Sequence, residues 1–158
     1  MENEVLLQVK GLSFTYGEEP VLKDVNLIIR RGERIAVMGS NGAGKSTFFL
    51  NLNGVLRPDS GEILLCGSKI GKKELNLLRK KVGFVFQDAD SQIIAANVWA
   101  EISFGPMNLG LERREVIRRV DAAVSYLGLE ELQQRAPHYL SGGEKKQVSI
   151  ADILAMEP

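Results

Sequence analysis

One eight-residue stretch decides the fold of this chain, and it reads Gly39-Ser40-Asn41-Gly42-Ala43-Gly44-Lys45-Ser46. It lies between an apolar run predicted to be a strand and a run from Thr47 predicted to be a helix. In that context the pattern Gly-x-x-x-x-Gly-Lys-Ser is typical of a loop that cradles phosphate groups. Glycines let successive N–H groups face one anion, and the start of the helix adds the positive end of its dipole.

Two side chains of this loop point to a triphosphate in particular. Lys45 has the length and charge to reach β- and γ-phosphates, and the Ser46 hydroxyl is a ligand suited to magnesium. Several charge-assisted hydrogen bonds, each worth about 1.5–3 kcal/mol, would give tight binding. The alternative is a glycine-rich turn that binds nothing. The loop alone does not identify a task, because kinases, GTPases, helicases and transport ATPases share it.

A second motif, Leu140-Ser141-Gly142-Gly143-Glu144, lies much later in the chain. A serine hydroxyl and glycine N–H groups at the predicted start of a helix form a compact anion site. Taken alone, the segment is also compatible with a flexible link. Together with a phosphate loop, it indicates a machine driven by a nucleoside triphosphate.

Composition excludes several classes of protein. The 158 residues contain 20 Lys plus Arg and 20 Asp plus Glu, so no overall positive field favours nucleic acid. The acidic N-terminus does not resemble a signal peptide, and no apolar stretch approaches the ~18 residues of a membrane span. The single cysteine, Cys66, follows an apolar run and is expected to be a small core residue.

The patterning predicts alternating strands and helices, which implies an α/β layer fold. The segments predicted as strands are residues 5–9, 12–14, 21–29, 34–38, 61–67 and 82–86, of which 34–38 and 82–86 are expected to be buried. The segments predicted as helices are residues 47–54, 73–81, 112–127 and 142–156. The arginines of the third helix are interpreted as its solvated face.

With these two motifs at this separation, the chain resembles ABC-type ATPases over nearly its whole length. The resemblance implies an α/β P-loop NTPase fold with an N-terminal antiparallel β part, a partial RecA-like core and a helical subdomain that carries the signature. Residues 1 to about 90 would form the β part and P-loop core, and residues from about 91 to 158 the helical subdomain. Residues 140–144 would be the family signature, which contacts the ATP of a partner subunit.

The resemblance also implies roles for individual residues. Tyr16 matches the aromatic residue on which adenine stacks, and residues 39–47 would bind ATP. Gln87 matches the catalytic glutamine that contacts magnesium and the attacking water, so Ser46 and Gln87 would be the metal ligands. The implied cofactors are therefore ATP and Mg²⁺.

Three segments, residues 84–93, 102–111 and 153–158, are similar to the cobalt-transport and energy-coupling-factor branch of the family. That similarity implies an ATP-hydrolysing subunit on the cytoplasmic face of a membrane importer for cobalt, another metal ion or a vitamin. Its implied partners are a second ATPase subunit, identical or different, and an integral membrane subunit that docks near the Gln87 loop. No nucleic acid partner and no membrane span of its own are expected.

Several parts of the family pattern have no counterpart here. The acidic Walker B strand with its catalytic glutamate has no counterpart, and neither has the switch histidine. The single histidine, His138, precedes the signature and therefore does not match the switch histidine. We therefore expect this chain alone to bind ATP without turning it over, and we interpret it as a fragment or a truncated gene product. Gln147 and Asp152 also depart from the pattern.

Two other functions stay open at this point. One is a remnant that only binds ATP, which a measurement of phosphate release would separate from an ATPase. The other is an ABC ATPase outside transport, although such proteins usually carry coiled-coil insertions or tandem ATPase domains, and neither is visible in the sequence.

Overall fold

A computed structural model describes residues 4–158 as two compact units, a first that ends at Val82 and a second from Gly83 to Pro158. The four strands are β1 Val5–Tyr16, β2 Glu19–Arg30, β3 Ser60–Leu65 and β4 Ser68–Lys69. The five α-helices are α1 Lys45–Leu52, α2 Leu75–Lys81, α3 Val98–Asn108, α4 Arg113–Leu127 and α5 Gly142–Met156. Short 3₁₀ turns lie at Ala89–Ser91, Glu130–Leu132 and Pro137–Tyr139.

The first unit is built on an antiparallel sheet with the strand order β2-β1-β3-β4. In β1 the buried residues are Leu7, Val9, Leu12 and Phe14, so the alternation of period two skips one position after Val9. The skip coincides with shifts in the β1–β2 register between Val9 and Phe14. The interruption is a β-bulge, which keeps both halves of the strand facing the same core.

Three details of the backbone accommodate this irregular stretch. The N–H of Gly11 donates to Oδ1 of Asn26 at 2.8 Å, so it is satisfied outside the ladder. Gly61 has φ of 91°, and a Cβ there would lie 2.5 Å from the carbonyl oxygen of Gly11. Asp24, on the edge strand β2, has φ of 47°, and its N–H donates to Ser13 Oγ at 3.0 Å.

Helices α1 and α2 supply the rest of the core of the first unit. Phe48 and Leu52 of α1 and Leu78 of α2 join the buried residues of the sheet. This arrangement confirms the helices predicted at residues 47–54 and 73–81 and the strands predicted at residues 21–29 and 61–67, with small changes at their ends, and the predicted segments 5–9 and 12–14 form one strand, β1. Since α1 begins at Lys45, the phosphate-loop pattern leads directly into a packed helix.

The prediction of buried strands at residues 34–38 and 82–86 is wrong. Neither segment forms a strand in the described part of the chain, and Met38 is 89% exposed. A strand is stabilised by hydrogen bonds to its neighbours, and no sheet of residues 4–158 includes either segment. An apolar composition is therefore not sufficient to form a strand at these two segments, because neither has a neighbouring strand to pair with.

The prediction that Cys66 is a core residue is also wrong. Cys66 is exposed, and its φ of 46° places it in the turn between β3 and β4. The apolar run before it ends in a hairpin, so the side chain leaves the sheet instead of entering the core.

The second unit consists mainly of helices α3, α4 and α5. In α4 the buried residues are Val116, Val120, Ala123 and Val124, which recur at helical spacing and lie on one face. They share a core with Val98 and Ile102 of α3, Val148, Ala151 and Ala155 of α5, and Leu129 and Leu140 of the connecting segments. Gly128 ends α4 in the left-handed conformation, as the sequence predicts.

In the part of the chain that is described, every helix is shorter or more polar than a membrane crossing requires.

Candidate functional site

The phosphate-loop motif forms the entry to α1 in the first unit. Gly42 and Gly44 both have φ of 83°, and Gly44 is the residue that precedes the first turn of α1. A Cβ on Gly44 would lie 3.0 Å from Val21 Cγ1 and 3.1 Å from the Val21 carbonyl oxygen. The loop is therefore seated closely against β2, and this contact fixes where the N-terminus of α1 points.

The lysine of the motif closes this loop. Lys45 Nζ donates to the carbonyl oxygens of Gly39 at 2.8 Å and of Ser40 at 2.7 Å. These bonds hold its ammonium group against the first two residues of the loop, which precedes the start of α1. Such a charge beside helical N–H groups suits an anion of high charge, for example a polyphosphate.

The remaining predicted ligands of the first unit differ in their exposure. Asn41 and Ala43 of the loop are exposed, Ser46 is exposed in the first turn of α1, and Thr47 is buried. The carbonyl oxygen of Thr47 accepts from Asn51 Nδ2 at 2.8 Å, which ties it to the next turn of the helix. Ser46 is thus open to a ligand through its hydroxyl, whereas the side chain of Thr47 serves the core.

Tyr16 lies at the end of β1, next to the turn at Gly17. Its ring meets the ring of Phe14 edge to face, with centroids 4.8 Å apart, and the residue is 49% exposed. The contact holds the ring in place while much of it stays open to solvent. An aromatic ring held in this way is a suitable platform for a planar base.

The second motif forms the start of α5 in the second unit. Leu140 is buried in the core, and Ser141 is the N-cap residue. Ser141 Oγ accepts from the N–H of Glu144 at 3.3 Å, and the Glu144 carboxylate accepts from the N–H of Ser141 at 2.6 Å. This capping box fixes the turn and leaves Ser141, Gly142 and Gly143 exposed at the positive end of a helix.

Glu144 belongs to the cap rather than to the exposed surface formed by Ser141, Gly142 and Gly143. Hydrogen bonds from the Ser141 backbone, and then from its side chain, lower the pKa of Glu144 below its ordinary value. The carboxylate therefore stays charged at neutral pH and is directed toward the first turn of α5.

Gln87 is exposed in the segment that follows residues 82–86. Its carbonyl oxygen accepts from Lys146 Nζ at 3.3 Å, and the same ammonium donates to the carbonyl oxygen of Phe86. The main chain at Gln87 is thus held by helix α5, while its amide side chain extends from an exposed position.

The sequence did not indicate the polar contacts that Gln92, shortly after Gln87, makes with helix α5. Gln92 Nε2 donates to the carbonyl oxygen of Ser149 at 3.3 Å and to Asp152 Oδ2 at 3.4 Å. Asp152 stood out in the sequence only as a departure from the family pattern. Its partner lies 60 residues away, so no local signal indicated the contact.

Burial raises the pKa of Asp152 to about 6, the Gln92 hydrogen bond opposes this shift, and the charge of Glu101 adds to it. Because the pKa of Asp152 in the folded chain is above the unfolded value of 3.8, the protonated carboxyl stabilises the folded chain relative to the charged carboxylate. This contribution is complete below about pH 4 and is lost as the pH rises through about 6.

We therefore expect Asp152→Asn, which mimics the protonated acid, to raise the free energy of unfolding at pH 8 by on the order of 2 kcal/mol. At pH 3.5 the variant and the original chain should differ little. Chemical denaturation at both pH values measures this, with Asp121→Asn on the exposed side of α4 as the control. Equal effects at pH 3.5 and 8 would contradict the role of the buried charge.

Comparisons with known proteins agree with these features. The sequence profile of the family described as ABC transporter matches residues 22–158. A putative ABC transporter ATP-binding protein of Methanosarcina acetivorans is 52% identical over 97% of this chain and 48% of its own length. The energy-coupling factor transporter ATP-binding protein EcfA of Methanoculleus marisnigri is 52% identical over 97% of this chain and 56% of its own length.

Solved structures give the same picture. CbiO1 of Clostridium perfringens, part of the ABC transporter complex CbiONQ, matches with a TM-score of 0.87 at 42% identity, over 100% of this chain and 63% of that one. The ATP-binding cassette MJ0796, a dimer bound to ADP and Pi, matches with a TM-score of 0.83 at 31% identity, over 97% of this chain and 71% of that one. The chain spans about half the length of the curated relatives it matches. The predicted α/β ATPase fold is thereby confirmed.

Proposed function

Because this chain belongs to the ABC transporter family, we propose that it is the ATP-binding part of a subunit that powers a membrane importer by binding and hydrolysing ATP. The relatives named EcfA and CbiO1 favour the branch that imports cobalt, another metal ion or a vitamin. Which of these is carried is set by the membrane subunits in this proposal.

One observation carries the proposal: a single chain presents two different helix starts, each with polar groups suited to an anion. The loop before α1 leads into Lys45, whose ammonium group bonds back to that loop, whereas the Ser141 end of α5 offers a hydroxyl and N–H groups, and its Lys145 is paired with Asp90. Two such sites of unequal charge are what a head-to-tail pair needs. Each ATP would lie between the loop of one copy and the Ser141 end of the other.

The residues present fit ATP with magnesium. Lys45 and the loop of residues 39–44 would hold the β- and γ-phosphates, the exposed Ser46 hydroxyl would ligate Mg²⁺, and Tyr16 would stack on adenine. Gln87 is the proposed second contact to magnesium and to the attacking water. Bound Mg²⁺ would neutralise charge that develops on the phosphates.

Two partners follow from this proposal. One is a second ATPase subunit, the same or different, and the other is an integral membrane subunit that docks near the Gln87 segment on the cytoplasmic face. Large exposed apolar side chains in the same unit as Gln87 support the second partner, since Ile94, shortly after Gln87, is 74% exposed and Phe104 of α3 is 50% exposed. The division into subdomains near residue 90 remains a prediction.

Variants of Ser141 test the paired arrangement. Ser141→Ala should leave the ATP affinity of the single chain within about twofold, and should weaken ATP-dependent pairing of two copies roughly tenfold or more, because a hydrogen bond to a charged phosphate is lost. Titration calorimetry and sedimentation in MgATP measure the two quantities. Ser141→Ala also removes a helix cap and should cost about 1 kcal/mol of stability.

A second variant separates capping from anion binding. Aspartate is a good N-cap residue, so Ser141→Asp should keep the stability of α5 while its negative charge repels phosphate. Pairing that returns in Ser141→Asp would show that only the cap matters and would refute the proposed role of the motif. If both variants lost ATP binding as single chains, Ser141 would contact the ATP of its own chain, which would contradict the proposed contact to the ATP of the other copy.

A further inference from the structure

The main chain beside Gln87 is held from two sides by polar side chains. The N–H of Phe86 donates to Gln92 Oε1 at 3.1 Å. On the other side, Lys146 Nζ donates to the carbonyl oxygens of Phe86 and Gln87. Residues 86 and 87 take part in these bonds through backbone groups only, so their main chain is held while the Gln87 side chain takes no part.

Both holding residues are anchored to helix α5. Lys146 belongs to its second turn, about 7.5 Å along the axis from Ser141. Gln92 reaches α5 through its Nε2, which donates to the Ser149 carbonyl oxygen and to Asp152. We call Lys146 and Gln92 the clamp. It connects the segment of Gln87 to the helix that begins with the Ser141 anion site.

We propose that Lys146 and Gln92 are positioning residues that fix the main chain of Gln87 to the helix that begins at Ser141. The proposal rests on the function proposed above. It assigns a role to two residues that lie outside the two motifs of residues 39–46 and 140–144. A change at the start of α5 when a phosphate binds is then carried to Gln87 over the first two turns of the helix. The same contact works in reverse, because coupling between two sites is reciprocal.

The neighbouring lysine provides a matched control. Lys145 Nζ contacts Asp90 Oδ1 at 2.5 Å, and the Asp90 side chain is 68% exposed. Lys145→Met and Lys146→Met remove the same charge from adjacent positions of α5. Only Lys146→Met removes donors to the main chain of residues 86 and 87.

Hydrogen exchange of the amides of Phe86 and Gln87 tests the clamp, because Lys145 contacts Asp90 and neither of these two residues. We expect Lys146→Met to exchange about tenfold faster than the unmodified chain without nucleotide. It should also lose the slowing that MgATP causes there, while its affinity for ATP in EDTA stays within about twofold. Lys146→Arg, which keeps the charge and the donors, should restore the slowing, and Gln92→Leu should reproduce the loss.

Slowing by MgATP that persists in Lys146→Met and Gln92→Leu would overturn the proposal, because the clamp would then be structural only. The same loss in Lys145→Met would overturn it too, since charge rather than the clamp would be responsible. Failure of the unmodified chain to bind ATP both with Mg²⁺ and in EDTA would instead refute the proposed function, and with it the role of the clamp. The affinity measurement distinguishes that outcome from the exchange results.

Discussion

Replacement of Lys45 by alanine is expected to weaken ATP binding by about 100-fold, or close to 3 kcal/mol. In the folded chain, the ammonium group is held over the loop by the carbonyl oxygens of Gly39 and Ser40. We expect these bonds to be exchanged for stronger contacts to β- and γ-phosphates, which carry full charges. Alanine offers neither the charge nor the reach, so most of the polyphosphate contact is lost.

Two comparisons make this prediction specific. Lys72→Ala removes an equal charge from an exposed turn of the same unit and should leave the affinity for ATP unchanged within about twofold. The weak affinity for AMP, which lacks the β- and γ-phosphates, should be nearly equal in the original chain and in Lys45→Ala. Calorimetry with ATP, ADP and AMP measures the series. A comparable loss for AMP would show that Lys45 contacts another part of the nucleotide.

Gly44→Ala should produce the second large effect, this time on stability. Gly42 and Gly44 share φ of 83°, and a side chain in that conformation costs about 1–2 kcal/mol. Around Gly42 no atom lies within 4 Å of the Cβ position, whereas at Gly44 the Cβ would press on Val21 and Leu22 of β2. The loss of stability in Gly42→Ala therefore measures only the cost of the left-handed backbone conformation for a residue with a Cβ.

We expect Gly44→Ala to cost at least 1 kcal/mol more than Gly42→Ala in the free energy of unfolding. Denaturation in urea, monitored by circular dichroism, provides the comparison, and both proteins should be measured without nucleotide. If the two variants lost equal stability, the loop would not be seated against β2 as described. A smaller cost for Gly44→Ala would have the same meaning.

The parts of the site that sequence predicted are those whose cause is local. The glycines, Lys45 and the start of α1 form one continuous segment, and Ser141 with Glu144 form a capping box within four residues. In such segments the backbone conformation and its polar partners are encoded side by side. The amphipathic pattern of α4 is likewise local, and its buried face was predicted correctly.

The parts that sequence missed depend on partners far along the chain. Lys146 and Phe86 are 60 residues apart, as are Gln92 and Asp152, and neither pair leaves a periodic signal. The two wrongly predicted strands also depend on distant partners, which in their case are missing from the sheet of residues 4–158. Residues 34–38 have a strand-like composition, but a strand also needs a neighbour, which composition cannot supply.

The left-handed backbone of β2 at Asp24 has a consequence for the behaviour of the chain at high concentration. Within residues 4–158, β2 is a 12-residue strand at the edge of its sheet, which is the kind of edge on which other chains aggregate. The left-handed turn of its backbone at Asp24, together with the charges of Lys23 and Asp24, interrupts the flat surface that a foreign strand would need. Colloidal solubility is thus protected by the same irregularity that lets β1 keep both of its halves in the core.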